Sequence, residues 1–211
     1  IKEFTTNSTT DVFEATEITE HVPQYVPANL HTLTGSDTDG YLATTDGTDI
    51  YIYKYFFTQK QKAVSSWSKF TLSGHIVHLE FIDSMLYAII TKENETHIVK
   101  FNLESGYKDV EGYNTHLDFR RKETIGANQL SVSIEIPFTI STEDTLIAIS
   151  VNGELLTTSL SGTTLTVSRD SADTTDLDFY YGIKYNMKYT FAEPTLKLPT
   201  EKTKTPTRYI H

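Results

Sequence analysis

Apolar and polar positions alternate with a period of two along much of the chain, the pattern of strands half-buried on a pleated surface. The clearest case is Ile50–Phe57, where Tyr51, Tyr53 and Tyr55 share one face and Ile50, Ile52 and Phe56 the other. Apolar bodies on both faces predict a strand covered on both sides. Tyr41–Thr44 precedes it as an extended run, and "TDGT" (Thr45–Thr48) joins the two as a hairpin, because Asp and Gly tolerate left-handed backbone. The next strand holds "SSWSKF", in which Trp67 shares a face with Ser65 while Phe70 and Leu72 share the parity of Val64. A bulge near Ser68–Lys69 would reconcile them, with Trp67 as a large inward anchor. "HIVHLEFID" (His75–Asp83) and "MLYAIITK" (Met85–Lys92) follow, joined tightly at Asp83–Ser84. "ENETHIVKFNL" turns at Glu93–Glu95 and returns as a third strand.

Short connections between such strands match the meanders of β-propeller blades, here enough for two blades and too few to close a ring. Near the start, residues 1–13 read as extended. Asp11–Val22 is either a short helix, with Glu14, Glu17 and Glu20 along one face, or a loop into another strand. Such a row of carboxylates is an ordinary solvated face.

The texture changes after "ESGYKDVEGY", where Gly106 and Gly112 among acidic neighbours mark a boundary. "THLDFRRKE" is extended and basic. Leu130, Val132, Ile134 and Ile136 then alternate with Ser131, Ser133 and Glu135. Asn152–Gly153 is the favoured two-residue hairpin pair, and Gly182 allows a bend or bulge in Leu177–Phe191. The expectation is all-β: a propeller-like region of incomplete antiparallel blades at 1–105, a small β-sandwich or barrel at 106–192, and a Pro/Lys/Thr-rich linker or arm at 193–211.

Composition agrees with that fold class. In 211 residues there are 13 Tyr and 11 Phe but 2 Met, 1 Trp and no Cys, which leaves no disulfide framework and no thiolate metal site. The net charge of −10 disfavours binding to a phosphate backbone. No apolar run approaches the roughly 20 residues that cross a bilayer, so no membrane anchor is expected. The opening "IKEFTTNST" lacks an initiator Met and a leader-like pattern, and reads as the inside of a longer polypeptide.

Candidate chemistry is sparse. His75 and His78, three apart on a strand, are expected on opposite faces and so cannot share a metal. "SDTDG" lacks the further acidic ligands of a calcium loop, which leaves Asp37 and Asp39 as turn residues. No nucleophile elbow, phosphate-cradling loop or zinc motif is present, so no catalytic, cofactor or metal residue is expected. The binding candidates are Tyr51, Tyr53, Tyr55 and Trp67, whose rings could stack on a sugar; core packing with buried hydroxyls accounts for the tyrosines equally well.

Several segments, in order, resemble the tail tubular protein B (nozzle) family of short-tailed bacteriophages. "KEFTTNSTTDVFEATEIT" is similar to that family's R-E-F…D-x-Y-x-A-x-D-L-T stretch, and "DGYLATTDGTDIYIYKYFFTQKQKAVSSWSKF" to its strand, hairpin, strand and aromatic ending. "VHLEFIDSMLYAII" resembles its next hairpin, while "HLDFRR" and "GIKYNMKYTFAEP" resemble two later signatures. The chain departs at Ala192-Glu193-Pro194, where Ser-Pro is usual, and at Phe70, where a second Trp is common. The resemblance implies a propeller-derived region joined to an inserted β-rich domain, within a longer subunit that forms a hexameric ring. It also implies an adaptor (tail tubular protein A) and fibre or spike proteins as partners, and DNA passing through the lumen without specific binding. The implied location is the virion tail, after assembly in the host cytoplasm, and Trp67 takes a packing role in the strand-ending motif. Three classes of function therefore stand side by side: a tail structural component, a glycan-binding module and an envelope-degrading hydrolase.

Overall fold

The computed structural model describes residues 1–6, 13–19, 22, 24–58, 61–104 and 115–188, and every regular element among them is a strand. β1 (Lys2–Thr6) and β2 (Phe13–Glu17) form an antiparallel pair with Lys2 opposite Glu17. Part of Asp11–Val22 is thus a strand, not a helix, so the helical face expected for the three-residue spacing does not form there. Glu20 lies outside the described residues, as do the boundary glycines Gly106 and Gly112 and the arm from 193 onward.

β3 (His31–Ser36), β4 (Tyr41–Thr45), β5 (Asp49–Thr58) and β6 (Gln61–Thr71) make a four-stranded meander. The β4–β5 turn forms where expected. Asp46 Oδ1 accepts the N–H groups of Thr48 at 2.9 Å and Asp49 at 2.8 Å, and Gly47 takes φ 94°. Glycine is also required there for space, since a Cβ would stand 2.5 Å from the His75 ring.

β7 (His75–Ile82), β8 (Met85–Lys92) and β9 (Glu95–Asn102) form a second, three-stranded meander. Glu93 (φ 48°) and Asn94 (φ 68°) supply the left-handed pair that a two-residue hairpin needs. The expected opposition of His75 and His78 does not hold. A bulge between Ile76 and His78 inserts Val77, so His75 pairs with Thr91 and His78 with Ile89, and both imidazoles share the outward face. The same bulge lets Ile76 and Leu79 share the inward one.

That inward face meets the four-stranded sheet. Ala43, Ile50 and Ile52 pack against Ile76, Leu79, Leu86, Ala88 and Ile90, all within 2% of full burial. Polar contacts pin the seam: Ile76 N–H donates to Gly47 O at 2.7 Å and Phe81 N–H to Thr34 Oγ1 at 3.0 Å.

β10 (Asp118–Ile125), β11 (Ser131–Glu135), β12 (Leu146–Ser150), β13 (Leu155–Ser161), β14 (Thr164–Ser168) and β15 (Leu177–Ile183) form one antiparallel sheet in the order β10-β15-β12-β13-β14-β11. It curls into a half-barrel around Ile125, Phe138, Leu165, Val167, Phe179 and Ile183. Asn152–Gly153 turns the chain, but not as a two-residue hairpin. Gly153 N–H donates to Ser150 O, Gly153 (φ 87°) follows in the left-handed region, and Ser150 N–H then donates to Glu154 O. At Gly182 the irregularity lies on the partner strand, between Asp118 and Arg121 of β10, and a Cβ would meet Asp118 O at 2.6 Å.

Contacts that join the half-barrel to the meanders include a shared aromatic ring and an ion pair. The Phe119 ring packs against both hydrophobic clusters, 5.0 Å from Phe138 and 5.5 Å from the His97 ring. Lys92 Nζ at the end of β8 meets Asp144 Oδ2 at 2.6 Å, with only 7% and 10% of the two side chains exposed.

Candidate functional site

The four sequence-derived binding candidates come together on one face of the β5–β6 ladder. Alternation along β5 sends Ile50 and Ile52 into the core and Tyr51, Tyr53, Tyr55 and Phe57 to the opposite side. Tyr51 pairs with Lys69 and Tyr53 with Trp67. The rings form a continuous series: Tyr53 to Trp67 at 5.0 Å, Tyr53 to Tyr55 at 5.9 Å, and Tyr55 to Phe57 at 5.9 Å. On the same face Tyr51 makes a separate pair with Tyr25, edge-on at 6.3 Å.

The register corrects the reading of Trp67. Pairing runs unbroken from Asp49–Thr71 to Phe56–Val64, so no bulge occurs at Ser68–Lys69; the irregularity lies farther out, opposite Phe56 and Phe57. Trp67 therefore stands on the face opposite Phe70, outside the core between the two meanders. Its anchoring is lateral. The indole Nε1 donates to Ile18 O at 3.0 Å, fastening the β1–β2 hairpin to the tyrosine face. It is half-buried, which is why serines can flank it.

The Tyr51 hydroxyl is committed too. Tyr51 Oη donates to Asp46 Oδ2 at 3.0 Å, the carboxylate that also caps the β4–β5 turn. Burial, then the bond and charge of Asp46, push the Tyr51 hydroxyl far above its ordinary range. For Asp46, burial acts upward but is outweighed by the N–H groups of Asp49 and Thr48 and by the Tyr51 hydroxyl, which hold it below the usual carboxylate range. Lys69 closes the set with a 3.0 Å ion pair to Asp49.

A sugar-stacking platform needs open ring faces. Tyr51 and Tyr53 are each only 4% exposed, so the partly open part of the series is Tyr55, Trp67 and Phe57. Asp37 and Asp39 sit in the β3–β4 turn, where Ser36 Oγ donates to Asp39 Oδ2 at 2.8 Å. Hydroxyl bonds from Ser84 and Ser36 lower the Asp39 pKa, so this carboxylate serves turn closure. Among the described residues no three His, Asp or Glu side chains gather as a metal site, and no helix is long and apolar enough to cross a membrane. Two open depressions of about 720 Å³ lie on the half-barrel, and neither is lined by a residue of the aromatic series.

The arrangement is one of packed rings and occupied polar groups. The family model for the bacteriophage nozzle protein matches residues 1–211, the whole chain. The chain belongs to the bacteriophage nozzle protein family. It is thereby a structural component of a phage tail, located in the virion. It is also similar to tail tubular protein gp12 of Escherichia phage T7, 27% identical over 138 residues. That match covers 60% of this chain and 17% of the T7 protein, so the matched part spans less than a fifth of the curated relative's length. In this nozzle chain, sequence reasoning missed Lys92–Asp144, which no local pattern signals, and the exposure of Phe56 and Phe57, whose alternation looked like that of their buried neighbours.

Proposed function

We propose that this nozzle chain is a segment of the wall of a ring-shaped tail conduit for DNA, built from propeller-like sheets and carrying no reactive centre. One observation carries the reading: the sheets are apolar on faces that no other described residues cover as well as on those buried in the core. β8 buries Leu86, Ala88 and Ile90, yet its other face presents half-buried Met85, Tyr87 and Ile89. On that same face Ile82 is 55% and Ile98 75% exposed, and Val77 at the bulge is 51% exposed. A strand apolar on both sides is built to be covered on both, so this face receives another sheet of the assembled subunit. Stacking of that kind, sheet upon sheet, is the principle of a propeller.

In this reading the chain divides at about residue 105 into propeller-like sheets and an inserted half-barrel, followed by an arm from 193. The subunit is a hexamer that meets the adaptor and the fibre or spike proteins, and it assembles in the host cytoplasm. The net charge of −10 suits a lumen through which DNA slides without adhering. The test is electron microscopy of the full subunit, alone and mixed with portal and adaptor. A six-fold ring with the β7–β9 face inside its wall is expected; a stable monomer indifferent to those partners would refute the proposal.

A further inference from the structure

Phe119 occupies backbone that does not suit it. β10 and β15 pair Asp118 with Ile183 and Arg121 with Tyr181, so Phe119 and Arg120 together face Gly182. Two residues opposite one make a β-bulge, and the form whose first residue is left-handed normally has glycine there. This chain has Phe119, at φ 53°. A bulky side chain in that region is strained and persists only where its surroundings hold it. Its own ring is what holds it. Among the described residues Phe119 alone packs against both hydrophobic clusters. The Phe138 ring lies 5.0 Å away on the half-barrel side, and the His97 ring 5.5 Å away, edge-on, on the meander side.

The rest of the junction is polar. Among the described residues no sheet spans the two halves. Lys92 at the end of β8 holds Asp144, and the Glu95 carboxylate at the start of β9 takes hydrogen bonds from the Thr139 side chain and backbone. His97 fits imperfectly: its side chain is 17% exposed, yet Nε2 makes no hydrogen bond although Glu95 Oε2 stands 3.2 Å away. Two bodies joined through polar side chains are expected to move relative to each other, since only a large apolar interface locks them.

We infer that this junction is a latched hinge with two positions. In the closed position, the one described above, Lys92–Asp144 and Glu95–Thr139 form the latch and Phe119 is the pin, held strained between the clusters. In the open position the latch parts, the ring leaves the meander cluster and Phe119 relaxes into ordinary backbone, while each half keeps its own core. Strain favours opening; the latch and the buried ring favour closure. That opposition is what a two-state element needs, and a neighbour gripping one half shifts its balance. The inference uses only the two clusters and their junction, so it stands or falls independently of a ring-shaped assembly.

The chain has no cysteine, so T96C/S159C places one spin label on each half, at exposed positions of β9 and β13. Double electron–electron resonance then reads their separation. The protein without further substitution should show one dominant distance. D144N removes the charge that pairs with Lys92 and should raise a second distance roughly tenfold relative to the first. E95Q weakens the other half of the latch and should raise the same second distance, which keeps the test decisive if D144N does not fold. F119G installs the residue that such a bulge ordinarily takes; with strain and pin both gone, one broad distribution is expected. Circular dichroism verifies that each labelled chain keeps its strands. A single distance unchanged in D144N, E95Q and F119G would overturn the inference. So would latch variants that unfold the half-barrel without a second distance between folded forms.

Discussion

Substituting Asp144 by Ala tests how the two halves of the chain are held together. Lys92 and Asp144 meet at 2.6 Å with side chains 7% and 10% exposed, so both charges were removed from water on folding. Asp144 also accepts the Ser141 N–H at 2.9 Å, and Lys92 has one further partner, Ser73 Oγ at 3.4 Å. Burial works against the ionised Asp144, but Lys92 and the Ser141 groups prevail and lower its pKa. Removing the carboxylate leaves an ammonium buried against a single long hydroxyl contact and the Phe119 ring, 5.8 Å away. Breaking a buried pair on one side typically costs about 3–5 kcal/mol; some water entry at this seam reduces the expectation to about 2–4 kcal/mol. Replacing both partners, as K92M/D144A, removes the stranded charge and should recover at least half of the loss. Urea unfolding followed by Trp67 fluorescence and far-ultraviolet circular dichroism gives the free energies. A D144A cost below about 0.5 kcal/mol, or a double variant no better than the single, would show that the ion pair does not hold the junction.

Other outcomes follow from single positions. Burial first, then the charge of Asp144, raise the Asp118 pKa to about 6. The folded protein therefore binds a proton that the unfolded chain releases between about pH 4 and 6. Stability should rise by on the order of 1 kcal/mol as pH falls across that window, allowing for partial solvent access, and then drop in stronger acid as Asp144, Asp46 and Asp178 lose the interactions that lower their pKa values. Thermal unfolding from pH 3 to 8 measures this, and Asp118→Asn should flatten the rise; a profile unchanged by that variant would refute the assignment. Trp67→Phe keeps the ring against Tyr53 but deletes the bond to Ile18 O, with an expected cost of about 1 kcal/mol and faster amide exchange confined to the β1–β2 hairpin. Gly182→Ala places a Cβ 2.6 Å from Asp118 O and 3.0 Å from Leu117 Cβ, and should destabilise the half-barrel by about 1–3 kcal/mol, measured by denaturant unfolding.

Strand positions were legible where period-two alternation met a turn residue with its own mechanism. Thr45–Thr48 and Glu93–Glu95 fall in this class, because Asp, Asn and Gly select left-handed backbone locally. Facing was less legible, because one inserted residue inverts it: nothing in "HIVHLEF" marks Val77 as extra, yet that residue brings His75 and His78 to one side. Trp67 was legible as an anchor but not as to its anchorage, since Ile18 lies 49 positions away. Lys92 and Asp144, 52 positions apart, each read as an ordinary surface charge until the half-barrel closes over them. The tyrosine row showed its alternation plainly, but only the folded chain reveals that Tyr25 and Trp67 cover Tyr51 and Tyr53.

The claim that the outward face of β7–β9 lies within an assembled wall can be read at Ile98, 75% exposed in this chain. The chain has no cysteine, so Ile98→Cys gives a single thiol whose maleimide labelling rate reports access directly. Fast labelling of the isolated chain and strong protection in the assembled tail are expected. Equal rates in both would contradict the account.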